Sequence, residues 1–310
     1  MSYKRRRKSY RKSTAPKQTR KEVLDGFYQN ITNLLLEQIK NGAGSWIKCW
    51  QNVGGGGLPN NPQTKTVYKG INTISLWCES LKKGFTDSRW GTFKNIKDLG
   101  GYVRKDQKGS KVILWKPRKI EEVQSDGTKQ EKTIFTFRIF TVFNFQQCED
   151  LPDMDAVEKS TVEDLESTIQ DYLKRENLSL QFGGNRAFYS PKKDYIKVPN
   201  KAQFKTALHF ESTVFHEVAH STGHKNRLKR EGVSEYNYFG SHKYSYEELV
   251  AELTAVFSMS KLGLMNETSD TFSNSASYLK GWSSKLGEYP EWINKAAREA
   301  SKATAYIFDE

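Results

Sequence analysis

The stretch "TVFHEVAHSTGH" (213–224) holds three of the chain's five histidines, and all five lie beyond residue 208. His216 and His220 are four apart, so a helix brings both imidazoles to one face, where they can grip one zinc ion, Zn2+. Glu217, one position on, falls off the ligand line but beside the ion. There it can serve as general base toward water that the ion acidifies. Val214, Phe215, Val218 and Ala219 are apolar, so the motif sits on a buried helix. Gly223 reads as a left-handed stop that turns His224 elsewhere. Because His224 follows Gly223 at once, the longer three-histidine signature H-E-x-x-H-x-x-G-x-x-H is missing and a metzincin is disfavoured.

A catalytic zinc needs a third protein ligand and an open position. "YEELVAELTAVF" (246–257) predicts a helix with Leu249, Leu253, Val256 and Phe257 on its apolar face. Glu248 and Glu252 share one side of it. Zincins with a glutamate third ligand often carry E-x-x-A-D/N, which "ELVAE" resembles, with Glu248 as ligand and Glu252 behind it orienting a histidine. The reverse assignment stays open on spacing alone. Glu247 is read as a surface residue facing away. "DYIKV" (194–198) is read as an edge strand able to pair with a peptide. Tyr244, Tyr246, His224 and His242 are the available oxyanion donors, none singled out by the sequence.

These residues need elements to hold them, and 310 residues suffice for two domains. The periodicity predicts α+β throughout, helix-rich in the second half, with a small sheet there. The reading is a basic tail (1–19) without apolar periodicity, a mixed nucleic-acid-binding domain (20–146), an acidic linker (147–158) and a mostly helical domain (159–310). Thr19 with Glu22 fits a capping box opening the first helix. "KVILWKPR" and "TIFTFRIFTVFNF" alternate as strands. No run is long enough for a transmembrane helix, and no apolar leader opens the chain. Three scattered cysteines argue for a reducing compartment, so a cytoplasmic location is expected.

The net charge of +13 is uneven. Residues 1–21 carry ten Lys/Arg and no acid, residues 22–145 are net +8, and residues 146–310 are net −5. A polyanion is therefore the partner of the front half alone. Five of seven tryptophans fall in 22–145 among these cations, and stacking aromatics beside cations suit single strands. Trp46 and Trp50, beside a glycine-rich loop, are the candidates for exposed stacking, whereas "SLW" and "VILW" place Trp77 and Trp115 in cores. Lys69, Arg89, Arg104, Lys105, Lys108 and Lys111 are the candidate cations.

In order along the chain, "SWIKCW", "LPNNPQTKTVYKGIN", "SRWGTFKNIKDLGGYVRKDQKGSKVILW", "DYIKVP", the HExxH stretch, "EELVAELTAVF" and "SASYLKGW" resemble the ArdC antirestriction family. The resemblance covers roughly residues 20–308. It implies an N-terminal single-stranded-DNA-binding domain joined to a zincin-like metallopeptidase domain, carried by plasmids, conjugative elements or phages. It also implies that His216, Glu217, His220 and Glu248 form the metal-site motif. The expected function is single-stranded-DNA binding that shields entering DNA from restriction. Two alternatives are a DNA-localised zinc protease acting on DNA-bound proteins, and a DNA-binding protein whose zinc is structural only.

Overall fold

Thr19 and Glu22 close a reciprocal cap: the Thr19 amide donates to Glu22 Oε2 at 2.7 Å, and the Glu22 amide donates to Thr19 Oγ1 at 3.2 Å. This opens α1 (Arg20–Lys40) as the T-x-x-E spacing predicts. The computed structural model describes residues 19–40, 57–123, 128–152, 160–234, 242–264 and 286–310, without the side chains of 38–40, 234 and 242–244. Trp46, Trp50, residues 1–18 of the tail, and residues 153–158 of the expected linker lie outside the described residues.

The front half places β1 (Asn60–Asn61) against β2 (Thr66–Val67), then α2 (Ile71–Lys83), β3 (Trp90–Thr92), α3 (Phe93–Asp98) and β4 (Tyr102–Val103). A long hairpin follows, β5 (Ser110–Val123) and β6 (Lys129–Asn144), and β7 (Cys148–Glu149) pairs with β4. The main sheet runs β3-β6-β5, all antiparallel. Its β5 edge is covered by α2: Asn72 Nδ2 donates to Ile113 O at 2.7 Å, and the Ile113 amide donates back to Asn72 Oδ1 at 2.8 Å. One side-chain amide thus completes a backbone pair that an open edge would leave unpaired.

The back half comprises α4 (Val162–Arg175), β8 (Ser179–Phe182), β9 (Phe188–Ser190), β10 (Tyr195–Val198), α5 (Ala207–Ser221), α6 (Glu231–Ser234), α7 (His242–Lys261) and α8 (Glu291–Ile307). Thr161 and Asp164 form the capping box that starts α4. From Glu247 to Ser260 every residue of α7 is buried, because α5, α6 and α8 pack around it. The small sheet runs β8-β10-β9. "DYIKV" therefore supplies the central strand, not an edge: β8 pairs with it in parallel and β9 antiparallel, consuming both sides. The edges belong to β8 and β9.

The architecture is mixed α+β, yet the largest apolar cluster draws on both sides of 147–158. Ile31 and Leu35 of α1 and Ile74 and Trp77 of α2 bury into it together with Phe257 of α7 and Ile293 and Ala300 of α8. Trp77 and Phe257 have ring centroids 5.7 Å apart. The Gly70 amide donates to Ser301 Oγ at 2.8 Å, and Thr32 Oγ1 donates to Pro290 O at 3.1 Å. The other side of α2 carries Leu76 into a second cluster with Trp90, Val112 and Val142 of the main sheet. Helix α2 is thus the bridge between halves. No helix among the described residues is long and apolar enough to cross a membrane.

Candidate functional site

Thr206 caps α5 by accepting from the His209 amide at 3.1 Å, which fixes the start of the helix bearing the HExxH motif. His216 and His220 then share one face, rings 4.9 Å apart at 82°. Opposite them, α7 presents Glu248. His216 Nε2 lies 3.5 Å from Glu248 Oε2, and His220 Nε2 lies 3.4 Å from Glu248 Oε1. The three donor groups all fall within 4.8 Å of one another. A tetrahedral ion with bonds of ~2.05 Å has donors roughly 3.4 Å apart, so the residues present fit a divalent cation.

The other ring nitrogens are also held. His216 Nδ1 lies 3.4 Å from Glu252 Oε2, which puts Glu252 behind the histidine and Glu248 on the ion side. His220 Nδ1 lies 3.3 Å from Glu247 Oε1. Glu247 is therefore not a surface residue: it is buried, and Arg230 holds both of its oxygens. The spacing on α7 concealed this because no side of that helix faces water. Its run "LVAELTAVFSMS", in which Glu252 is the single charge, is the available signal.

Burial opposes every charge here, and the partners decide each outcome. It acts to lower both imidazoles, but the carboxylates outweigh it, raising His216 well above its ordinary range and His220 to about 9. It acts to raise Glu248, but the two histidines outweigh it and hold that carboxyl far below the usual range. At Glu247, Arg230 and His220 likewise overcome burial and the net shift is downward. Glu217 is the exception. Burial dominates there, lifting its pKa despite both histidines, while the Tyr189 amide of β9 donates to its carboxylate. A buried carboxyl biased toward holding a proton suits a general base that must take one up.

His224 sits apart, as expected, accepting from the Asn226 amide at 3.4 Å and lying 3.8 Å from Asp194. Its departure has another cause than a left-handed glycine. Gly223 lies outside that region, and its missing side chain instead makes room for Arg230 and Val233, whose atoms would stand 3.0 and 2.6 Å from a Cβ. Tyr246 packs against Trp292, ring centroids 5.5 Å apart. The side chains of His242 and Tyr244 lie outside the described residues.

The front-half cations divide. Arg89 is committed to Asp87 through Nε and Nη2 and lies 5.0 Å over the Phe145 ring, so it braces the sheet. Arg104 Nη2 donates to Gln146 O at 2.6 Å and Lys111 Nζ to Thr141 Oγ1 at 2.6 Å, both on the surface. Lys69, Lys105 and Lys108 are exposed. Trp77 is buried as expected, but Trp115 is 40% exposed and does not fill a core. It stands on the β5–β6 hairpin. There it pairs with Phe137 at 5.3 Å, with Pro117 and the 67% exposed Phe135 on the same face. Lys116, Arg118 and Arg138 occupy the other face.

Residues 25–143 match the N-terminal domain of the anti-restriction factor ArdC, and residues 167–299 match a zincin-like metallopeptidase, MPTase-PolyVal. Crystal structures of the antirestriction ArdC protein from plasmid R388, metal-free and Mn(II)-bound, superpose with a TM-score of 0.70 at 31% identity. They cover 91% of this chain and 96% and 97% of theirs. The chain belongs to the ArdC antirestriction family. Two Escherichia coli DNA primases TraC are 32% and 31% identical over 304 and 296 residues, but the chain spans only 27% and 20% of their lengths. A Sinorhizobium fredii protein, y4eC, is 27% identical over 91% of its length. The Mn(II)-bound relative and the converging donors agree on a divalent metal in this ArdC-family site.

Proposed function

We propose that this ArdC-family chain binds single-stranded DNA through its front half during entry of a mobile element. We further propose that its back half is a zinc-dependent peptidase, with His216, His220 and Glu248 holding the ion. One observation carries the reading: the donors of two helices converge beside the buried Glu217, which is not one of them. Two imidazoles and a carboxylate with an open fourth position suit zinc. When bound, the cation supplies Lewis-acid polarisation of a carbonyl and of water. Glu217 takes a proton from water at its carboxylate and returns it to the departing amide nitrogen. Glu252 fixes the His216 ring from behind. A site serving only to stabilise the fold has no use for Glu217 in that place, which favours catalysis over a purely structural ion.

For the front half, the exposed Trp115–Phe137 pair and Phe135 offer stacking surface, and Lys116, Arg118 and Arg138 offer phosphate contacts from the same hairpin. Fluorescence anisotropy with labelled oligonucleotides tests this. Trp115→Ala with Phe135→Ala should weaken single-strand binding by about 1–3 kcal/mol per lost stack. Equal affinity of the wild type for duplex and single strand, or binding indifferent to salt, sinks the DNA reading. For the back half, Glu217→Gln should abolish cleavage of a protein substrate while metal content stays unchanged. Cleavage that persists removes Glu217 from the chemistry.

A further inference from the structure

Arg230 is among the most completely enclosed charges in the back half, with 4% of its side chain exposed. It reaches three groups at close range and the His220 carbonyl at 3.5 Å. Nη2 and Nε donate to Glu247 at 2.7 and 3.0 Å, Nη1 donates to Thr222 Oγ1 at 2.7 Å, and Nη2 also donates to Ala219 O at 2.8 Å. Thr222 and Ala219 lie at the end of the helix that bears His220, where free carbonyls and the helix dipole favour a cation. Glu247 in turn meets His220 Nδ1. The guanidinium therefore bolts the metal-bearing helix to the buried α7, and the bolt passes through the carboxylate that aims the second imidazole.

We propose that Arg230 is a positioning residue for the metal centre, setting the ring orientation and basicity of His220 through Glu247. This inference rests on the reading that His216, His220 and Glu248 hold a cation. Two features support a role beyond packing. First, Glu247 accepts from His220 on the nitrogen opposite the donor atom, so its carboxylate selects the tautomer that leaves Nε2 available. Second, the carboxylate behind His220 is itself fixed by an arginine from the loop that follows α5, so the brace reaches beyond the two helices that carry the donors. That loop folds back through the Arg230 amide, which donates to Gly223 O at 3.0 Å.

The test measures Zn(II) and Mn(II) affinity by competition with a fluorescent chelator, beside urea unfolding of the metal-free protein. Glu247→Gln should weaken binding of both ions by about 10–100-fold. The double variant Arg230→Met with Glu247→Leu replaces a buried ion pair with apolar groups of similar volume, which commonly keeps stability. It should fold and still bind the ions about 10–100-fold more weakly. Arg230→Lys keeps the charge without the fork and should fall between wild type and Glu247→Gln. A folded double variant with wild-type affinity overturns the proposal, as does Glu247→Gln with wild-type affinity if the double variant fails to fold. Wild-type protein that takes up neither ion ends the metal-site reading and this inference together. Uptake by the wild type with no loss in the variants ends this inference alone.

Discussion

Raising the pH should destabilise the metal-free protein but not the loaded one, by an amount set at His220. In the unfolded chain this histidine ionises near 6.5, whereas in the folded protein Glu248 and Glu247 outweigh burial and lift it to about 9. A folded pKa raised above the unfolded one contributes stability that is fully present below pH 6.5 and lost as pH rises through about 9. At 1.36 kcal/mol per pH unit the loss is on the order of 3 kcal/mol, and His216 shifts in the same direction. A bound divalent cation takes the protons' place between the carboxylates, so the loaded form should hold its stability across that window. Urea unfolding of both forms at several pH values measures the difference. The Cys148 thiol, which burial pushes up to about 11, titrates in both forms and cancels. Cation uptake at neutral pH should also release protons, seen as a buffer-dependent heat in calorimetry. A metal-free protein whose stability stays level over this range, or uptake without proton release, would refute the reasoning.

Trp77→Ala should cost about 3–5 kcal/mol, because a fully enclosed indole leaves a cavity between α2 and α7. Far-ultraviolet circular dichroism should show one transition moving as a whole; a back-half transition left unmoved would show the halves to be independent. Gly223→Ala should cost about 1–3 kcal/mol through overpacking and displace the Arg230 guanidinium. Its cation affinity should fall with that of Glu247→Gln, and unchanged affinity would mean that the loop relaxes without consequence.

The ion-binding constellation was legible because its parts are local. Two histidines four apart on an apolar helix share a face wherever that helix goes, and the same arithmetic places Glu248 and Glu252 on one side of α7. Glu247 reads as a surface residue because its burial depends on Arg230, a partner from a loop 17 positions earlier that periodicity does not reach. Strand "DYIKV" was recognisable as a strand, but its place between β8 and β9 is a matter of pairing order, which alternation does not encode. Trp115 shows the same limit in reverse: "VILW" looks like core, yet Val112 and Ile113 are buried while Trp115, two positions on, is 40% exposed. The cap at Thr19 needs only three-residue spacing and falls where the sequence places it.

Helix α2 belongs to two clusters, one against the front sheet and one shared with α7 and α8. Cutting the chain near residue 150 would strip Ile74 and Trp77 from the wall that backs α7 and α8 and leave bare apolar surface on both fragments. The unit that can be transplanted into a larger polypeptide is consequently the entire span of about 300 residues. The TraC primases carry it in that way, aligning over 304 and 296 residues instead of over either half alone.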